Sequence, residues 1–209
     1  MEYLFEDEKK FVKELLQLAQ PYKYKKGQYI YHMDDAPQGL YYVNTGLVGL
    51  LRVSANGQES LLRLFKKQQF FGHRSLFSNE TYHASARCME DCEILFCDKK
   101  SVIEFFDSHP KGYFFLARAL SKELRRSELR SVMISESEVI ERVAAAILIF
   151  KNLYPDFKWT RTDIANFCAS RTPTVIKTLA HMEKQGLIKQ QGRKIEILNE
   201  EGLSELVNN

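Results

Sequence analysis

Two hydrophobic periodicities divide the chain. From Glu6 to Gln20, Phe11, Leu15 and Leu18 recur at helical spacing, and Pro21 ends the pattern. From Tyr22 to about Cys97, short β-branched and aromatic runs alternate with turn residues. These runs are 29–31, 40–43, 47–51, 60–65 and 93–96. Short strands at this spacing predict an antiparallel barrel or sandwich.

One turn within this β-rich region has a specific signature. Asn56-Gly57 lies between two apolar runs. This dipeptide is typical of a hairpin with a type I′ turn, which needs positive φ at both central residues. We therefore predict adjacent antiparallel strands on either side of it.

Helical patterns follow, at 101–108, 111–134 and 139–153. The long second helix has a narrow seam at heptad-like spacing, which favours helix-to-helix dimerisation. The seam consists of Tyr113, Ala117, Leu120, Leu124, Ser127, Ser131 and Ile134. We expect Ala117, Leu120 and Leu124 to form the dimer contact. The alternative is a helix packed on its own domain, with Arg125, Arg126 and Arg130 solvated.

The helix-start residues Ser135 to Glu138 suggest a boundary, and three regions follow from it. Residues 1–110 would form a β-rich N-terminal domain, 111–137 a long dimerisation helix and 138–209 a C-terminal domain. The expected fold class is α+β.

The segment from Trp159 to Leu198 carries the most specific motif. Thr160 followed by Asp163 predicts a capped helix ending at Cys168. After a tight turn at 169–171, a second helix begins with Thr172 as its cap and Pro173 at its first position. Gly186 ends it, and two short apolar runs around 191–193 predict a β-hairpin. Helix, turn, helix and hairpin are the parts of a winged helix-turn-helix, which inserts its second helix into the major groove of DNA.

Charge supports the DNA interpretation over a protein-interaction module. Between Lys158 and Lys194 there are eight basic and two acidic side chains, a net +6 in a chain whose total is +3. Such a basic segment is typical of polyanion-binding modules. We expect a set of residues to meet the duplex, by base edges or by phosphates. The set is Thr160, Arg161, Thr172, Pro173, Thr174, Lys177, Arg193 and Lys194.

Composition and the N-terminal sequence indicate the class of protein, its location in the cell and the state of its cysteines. Hydrophobic residues make up 44% and charged residues 27% of the chain, as in soluble globular proteins. The N-terminus is acidic and has no signal-peptide pattern, so we expect a cytoplasmic protein. Cys88, Cys92, Cys97 and Cys168 are then expected to be free thiols, the first two facing one way along their strands and Cys97 the other.

The chain from about Lys25 to Leu198 resembles the Crp/Fnr family of bacterial regulators. The resemblance covers Gly27-Gln28-Tyr29-Ile30, Leu40 to Val48, Asn56 to Glu59, Phe70 to Phe77, Glu90 to Leu95, Thr160 to Ala165, Thr172 to Leu179 and Met182 to Ile188. It implies an N-terminal antiparallel β-roll of the double-stranded β-helix or jelly-roll type, a long dimerisation helix and a C-terminal winged helix-turn-helix. It also implies a homodimer on a palindromic operator, and RNA polymerase as a partner.

The effector pocket departs from the pattern of cyclic-AMP-binding relatives. There, a Glu after Phe-Gly accepts a ribose hydroxyl, and an Arg about ten residues on pairs with the phosphate. Here His73 follows Gly72, and His83 is nearest to the Arg position. Imidazole cannot give the bidentate grip of a guanidinium.

We therefore expect an effector other than cyclic AMP, or none. Two partly exposed strand or loop histidines without a ligand are the expected state of His73 and His83, and Arg74 or Arg87 could supply substitute charge. The candidate pocket consists of Gly72, His73, Arg74, Ser75, His83, Ala84 and Ser127. A cyclic-nucleotide-responsive regulator with a non-standard pocket is the alternative.

Cofactor and enzyme signals are weak in this sequence. Oxygen-sensing relatives hold an iron–sulfur cluster on cysteines near the N-terminus, but residues 1–87 contain no cysteine. A cupin-like metalloenzyme would need a His-x-His pair, and His32, His73 and His83 are isolated. We expect no metal, no cofactor and no catalysis. A ligand-binding module that needs no DNA is the remaining rival. In common members of the Crp/Fnr family the recognition helix reads Ser-Arg-Glu-Thr-Val. Here Thr172 and Pro173 replace the Arg and the Glu of that motif, which predicts a different operator.

Overall fold

The computed structural model describes residues 6–192 and 194–208. The chain divides into two compact units, Met1–Glu123 and Leu124–Asn209. The first contains most of the strands and the second most of the helices. The boundary falls within one long helix, α4, which spans Lys111–Glu136.

The first unit is built from eight strands and three further helices. In chain order these are α1 (Glu6–Leu16), β1 (Gln20–Tyr24), β2 (Tyr29–Tyr31), β3 (Gly39–Thr45), β4 (Leu47–Val53), β5 (Glu59–Lys66), β6 (Phe70–Phe71), α2 (His73–Ser78), β7 (Ser85–Cys88), β8 (Cys92–Asp98) and α3 (Lys99–Ser108). The strands form two antiparallel four-stranded sheets, in the orders β1-β8-β3-β6 and β2-β7-β4-β5. This is the predicted antiparallel β-roll.

The two sheets share one core, because alternate residues of each strand point to the same side. Its buried residues include Tyr31, Tyr41, Val43, Val48, Leu50, Phe65, Phe71, Ala86, Cys88, Cys92 and Ile94. The outer face of the first sheet is covered by α1, α2 and α3 through Leu15, Leu76 and Phe106. Cys97 lies in this second cluster and is buried, as are Cys88 and Cys92 in the first. The predicted facing of the three cysteines is confirmed.

The predicted hairpin joins β4 to β5, but its turn differs from the expectation. Gly57 has a φ of 78°, whereas Asn56 is outside the left-handed region. Ser54 N donates to Gln58 O at 3.0 Å, and Gly57 N donates to Ser54 O at 2.9 Å. The loop is therefore longer than a two-residue type I′ turn, and only its glycine needs positive φ.

The start of the chain also differs from the prediction. The first helix ends at Leu16 rather than at Gln20, because Gln20 already pairs with Phe96 of β8. Pro21 belongs to β1, which lies at the edge of its sheet. A proline is tolerated there because an edge strand has free hydrogen-bonding positions.

The second unit contains the end of α4, four further helices and one hairpin. These elements are α5 (Val139–Leu153), α6 (Arg161–Phe167), α7 (Thr172–Lys184), β9 (Ile188–Gln191), β10 (Lys194–Ile197) and α8 (Glu200–Asn208). Its core includes Val143, Ile147, Ile164, Leu179 and Leu203, all buried. Glu138 and Glu141 form a capping box that starts α5. No helix among the described residues is both long and apolar enough to cross a membrane.

Candidate functional site

The helix-turn-helix is fixed by interactions close in sequence. Thr160 caps α6: its side chain accepts from Asp163 N at 3.1 Å, and Asp163 Oδ2 accepts from Thr160 N at 2.9 Å. This reciprocal pair is the capping box that the sequence predicts. It satisfies two backbone donors that a helix start would otherwise leave unpaired.

The turn after α6 is held by backbone geometry and two arginines. Ala169 has a φ of 51°, and Ser170 N donates to Ala165 O at 2.9 Å. Arg130 donates to Phe167 O at 2.6 Å, and Arg142 donates to Cys168 O at 2.9 Å. The last carbonyls of α6 thus receive two guanidinium donors. The alternative of a solvated Arg130 is therefore wrong, because its head is half-buried against Phe167.

The second helix, α7, starts one residue earlier than predicted. Arg171 has extended backbone at the cap position, so Thr172 is the first helical residue and Pro173 lies within the first turn. The expected Thr172 cap is therefore wrong, although proline is still accommodated because the first N–H groups of a helix have no helical partner.

One face of α7 is buried and the opposite face is open to solvent. Val175, Leu179 and Met182 are buried against the second unit's core. Pro173, Thr174 and Lys177 are exposed, and Thr172 is half-buried. Ile176 is also exposed, at 50%, and sequence reasoning missed it. An exposed apolar side chain can contact a thymine methyl group, and a neighbouring lysine can donate to acceptors on base edges.

The β9–β10 hairpin forms the wing. Gln191 pairs with Lys194 across it, and Gly192 has a φ of 59° in the turn. Lys194 is exposed. Arg193, which the sequence also assigns to DNA binding, lies outside the described residues.

Arg161 has a different environment from the one expected of a phosphate contact. Its guanidinium donates to Gln190 Oε1 at 2.6 Å and to Gly192 O at 3.1 Å. Gln190 in turn donates to both carboxylate oxygens of Glu183, at 2.6 and 3.1 Å. This network ties the start of α6 and the end of α7 to the wing. Partial burial lowers the pKa of Arg161, and the nearby negative charge of Glu183 opposes this shift.

The β-roll contains a small cavity at the predicted effector position. Its lining includes the predicted residues Gly72, His73, Arg74, Ser75, His83 and Ala84. Ser127, the seventh predicted residue, lies in the second unit with an exposed side chain. The cavity measures about 20 Å³. That is room for about one water molecule, whereas small-molecule sites usually measure ~300–1,000 Å³.

A buried carboxylate lies beside this cavity. Glu123 of α4 is 8% exposed, and one of its oxygens accepts from Arg63 at 2.7 Å. The other contacts His73 Nε2 at 3.1 Å and Arg74 Nε at 3.0 Å. Since an ionised carboxylate only accepts, His73 must carry a proton on Nε2. His73 Nδ1 has no hydrogen-bond partner among the described residues.

The electrostatics of Glu123 follow from this arrangement. Burial alone raises the pKa of a carboxyl group. The hydrogen bond and charge of His73, together with those of Arg63, outweigh burial and lower the pKa of Glu123 to about 2. The carboxylate is therefore charged throughout the neutral range.

The expectation of two partly exposed strand or loop histidines is wrong for His73. It is 6% exposed and begins helix α2, directly after Gly72. Gly72 has a φ of 85°, and a Cβ there would lie 2.9 Å from Tyr41, so glycine is required. His83 is exposed, in agreement with the expectation. Partial desolvation and the charges of Arg74 and Arg52 lower its pKa.

The two arginines expected to supply substitute charge are both engaged. Arg74 contacts Glu123, and Arg87 makes a two-pronged pair with Glu59, with both distances at 3.0 Å. Sequence reasoning missed Glu123 and Arg63. No local pattern marks them, because Glu123 lies 50 residues from His73 on a helix rich in charges.

The predicted dimer seam lies on an exposed part of α4. Among the described residues of this helix, only Gly112 and Glu123 are buried. Ala117 is exposed, Leu120 is half-buried, and Leu124 is 61% exposed. Phe114 and Leu129 are each 62% exposed on the same helix. Large apolar side chains without cover are typical of a protein interface.

Two sequence-family profiles match the chain, one in each unit. The family described as the cyclic nucleotide-binding domain matches residues 21–109, and the Crp-like helix-turn-helix domain matches residues 141–206. These two domains define a class of DNA-binding transcription regulators that carry a cyclic-nucleotide-binding-type β-roll.

Individual proteins agree with the profiles. The chain is 29% identical over 176 residues to the "Cyclic AMP receptor protein" of Thermus thermophilus, covering 83% of this chain and 82% of that protein. It is 33% identical over 100 residues to an uncharacterized protein of Haemophilus influenzae, covering 48% of this chain and 78% of the relative. The structure of the c-di-GMP-responsive global regulator CLP of Xanthomonas campestris has the same fold. Its TM-score is 0.82 at 17% identity, over 90% of this chain and 98% of that one.

The chain belongs to the Crp/Fnr family of transcription regulators. This family consists of DNA-binding transcription regulators. The resemblance drawn from the sequence motifs is confirmed, and so is the predicted fold class.

Proposed function

We propose that this protein is a homodimeric regulator that reads a palindromic operator with α7 and contacts phosphates with the wing. The observation that carries the proposal is the exposed face of α7, where Thr174, Ile176 and Lys177 are open to solvent while the opposite face is buried. The N-terminal residues of such a helix reach base edges in the major groove. Half-sites about 34 Å apart, one turn of the duplex, would match a two-fold dimer.

Fluorescence anisotropy on duplexes that co-purify with the protein from its host tests this reading. We expect tight binding to those duplexes and weaker binding to scrambled ones. The alternative of a ligand-binding module that needs no DNA predicts no affinity for any duplex. If Thr174→Ala and Lys177→Ala both left operator binding unchanged, α7 would not be the reader.

Dimerisation through Ala117, Leu120 and Leu124 is the second part of the proposal. Supporting it are the exposed apolar side chains of α4, because a solvated helix would carry few of them. Replacing Leu120 and Leu124 together with Glu should give monomers in sedimentation velocity. A wild-type monomer at micromolar concentration would contradict the dimer.

The third part concerns the effector, which we propose is not cyclic AMP. Named relatives and fold neighbours include proteins called cyclic-AMP- and c-di-GMP-responsive, so family membership alone does not fix the ligand. In this chain His73 stands at the ribose-binding position and its Nε2 is already engaged with Glu123. The cavity of about 20 Å³ is far too small for a nucleotide. Titration calorimetry should show no binding of cyclic AMP at micromolar concentration.

RNA polymerase is the proposed partner at the promoter, as the resemblance implies. A promoter transcribed in vitro by the host polymerase would show activation or repression when the regulator is added. No change at any promoter that the protein binds would contradict this part of the proposal.

A further inference from the structure

We propose that Arg63, His73 and Arg74 form an anion-binding site in the β-roll whose occupant is the chain's own Glu123 carboxylate. The β-roll is then self-liganded. The anion site can be tested without DNA, whereas its consequence for regulation rests on the proposed function.

The geometry of the cluster supports this reading. Three donors from two elements, β5 and α2, converge on one carboxylate from a third, α4, at 2.7 to 3.1 Å. Arg63 contacts one oxygen, and His73 and Arg74 share the other. This is how proteins hold a bound carboxylate or phosphate, with several charge-assisted hydrogen bonds spread over its oxygens.

The charge balance points in the same direction. Two guanidinium groups and one imidazole face a single negative charge. The side chains of His73 and Glu123 are only 8% and 9% exposed. If Glu123 were removed, the partly buried guanidinium groups of Arg63 and Arg74 would lose the carboxylate that they share, which is costly where solvent screening is reduced. An anion from solution would then be favoured in the vacated space.

The position of Glu123 on α4 makes this contact a link between the long helix and the β-roll. Glu123 is buried in the middle of α4, a helix otherwise buried only at Gly112 among its described residues. The carboxylate therefore attaches α4 to the β-roll through the pocket residues themselves. We infer that this attachment needs no diffusible ligand, so operator binding by the dimer would be independent of any nucleotide effector.

Thermal unfolding of the full-length protein in acetate tests the anion site. Glu123→Ala vacates the site, and Glu128→Ala is the matched control, since Glu128 is an exposed acid on the same helix. At constant ionic strength, exchanging 0.1 M chloride for acetate should raise the midpoint of Glu123→Ala by about 3 °C or more. Wild type and the control should not respond. An unresponsive Glu123→Ala, or a wild type that responds equally, would overturn the proposal.

A second variant keeps the test decisive if Glu123→Ala fails to fold. Glu123→Gln preserves the shape of the side chain and removes its charge. The Nε–Hε resonance of Arg74 in ¹⁵N spectra should move in Glu123→Gln, because its charged acceptor is gone, and stay constant in Glu128→Gln. A resonance identical in wild type and Glu123→Gln would mean that the carboxylate does not occupy the site.

The two proposals fail separately. An acetate response in Glu123→Ala together with no DNA binding by wild type would retain the anion site and reject the proposed operator function. Wild-type DNA binding that appears only after a cyclic nucleotide is added would instead reject the self-liganded state.

Discussion

Two groups of cations in this molecule have opposite surroundings. In the β-roll, the guanidinium groups of Arg63 and Arg74, together with the imidazole of His73, surround the buried carboxylate of Glu123. In the winged helix, Lys177 and Lys194 extend into solvent from the recognition helix and the wing. The first group shares the negative charge of Glu123 within the fold, so the folded state depends on that carboxylate. The second adds little to stability, and its charge is available to a polyanion.

This difference distinguishes charged side chains that stabilise the fold from those that are available for binding. A buried cation needs its counter-charge to keep the protein folded, so removing that counter-charge should lower stability. An exposed cation can be removed with little change in stability, so its loss should appear only in binding. Four predictions test this contrast, from the largest expected effect to the smallest.

The first prediction breaks the buried cluster. Glu123→Leu should lower the free energy of unfolding by about 2–3 kcal/mol, because it removes the carboxylate that two partly buried guanidinium groups share. Lys177→Ala should change it by no more than ~0.5 kcal/mol. Urea unfolding followed by circular dichroism measures both. Equal effects of the two substitutions would remove the distinction between the groups.

The second prediction uses acid. The pKa of Glu123 in the folded chain is about 2, below its ordinary value of 4.5. Its contribution to stability is therefore complete above pH ~4.5 and is lost as the pH falls toward 2. The stability difference between wild type and Glu123→Gln should be constant from pH 7 to 5 and should shrink below about pH 4.5. A difference that grows with acid has the wrong sign for this cluster.

The third prediction concerns base reading by the exposed group. Lys177→Ala should cost about 1–3 kcal/mol in preference for the operator over a variant half-site, because base-edge contacts carry sequence information. Competition anisotropy with a small set of half-site variants measures the preference. A uniform loss over all duplexes would place Lys177 on the phosphate backbone instead.

The fourth prediction is the smallest and concerns the wing. Lys194→Ala should weaken binding to operator and scrambled duplexes alike, and should reduce the slope of log K against log salt by about 0.9. Glu196→Gln, on the same exposed strand, is the control and should leave the slope unchanged or steeper. An unchanged slope for Lys194→Ala would exclude a phosphate contact at this residue.

The parts of the fold that could be predicted depend on neighbours in sequence. Helix α5 has the predicted bounds because Pro155 and the start residues near Glu138 act locally. The capping box of Thr160 and Asp163 spans three residues and is present as predicted. The strands at β2 and β8 follow from their apolar runs. Short elements such as β6, two residues long, were missed because they have no periodicity of their own.

The candidate site was harder to predict because its partners are distant in the chain. The pocket residues from Gly72 to Ala84 were found by their resemblance to a motif, and the structure places them around one cavity. Glu123 was missed because an acidic residue on a charged helix is usually solvated, and only the tertiary fold buries it. His73 was expected to be partly exposed on a strand or loop, and its burial against Glu123 likewise depends on the tertiary fold.

The buried thiols allow the opening of each unit's core to be measured separately. Cys88, Cys92 and Cys97 lie in the first unit and Cys168 in the second, and all four are buried. Burial raises the pKa of Cys97 to about 11 and that of Cys168 to about 12, so alkylating reagents at neutral pH reach them only when the surrounding core opens. Mass spectrometry of alkylation over time would then report how often the core of the first unit and the core of the second unit each open.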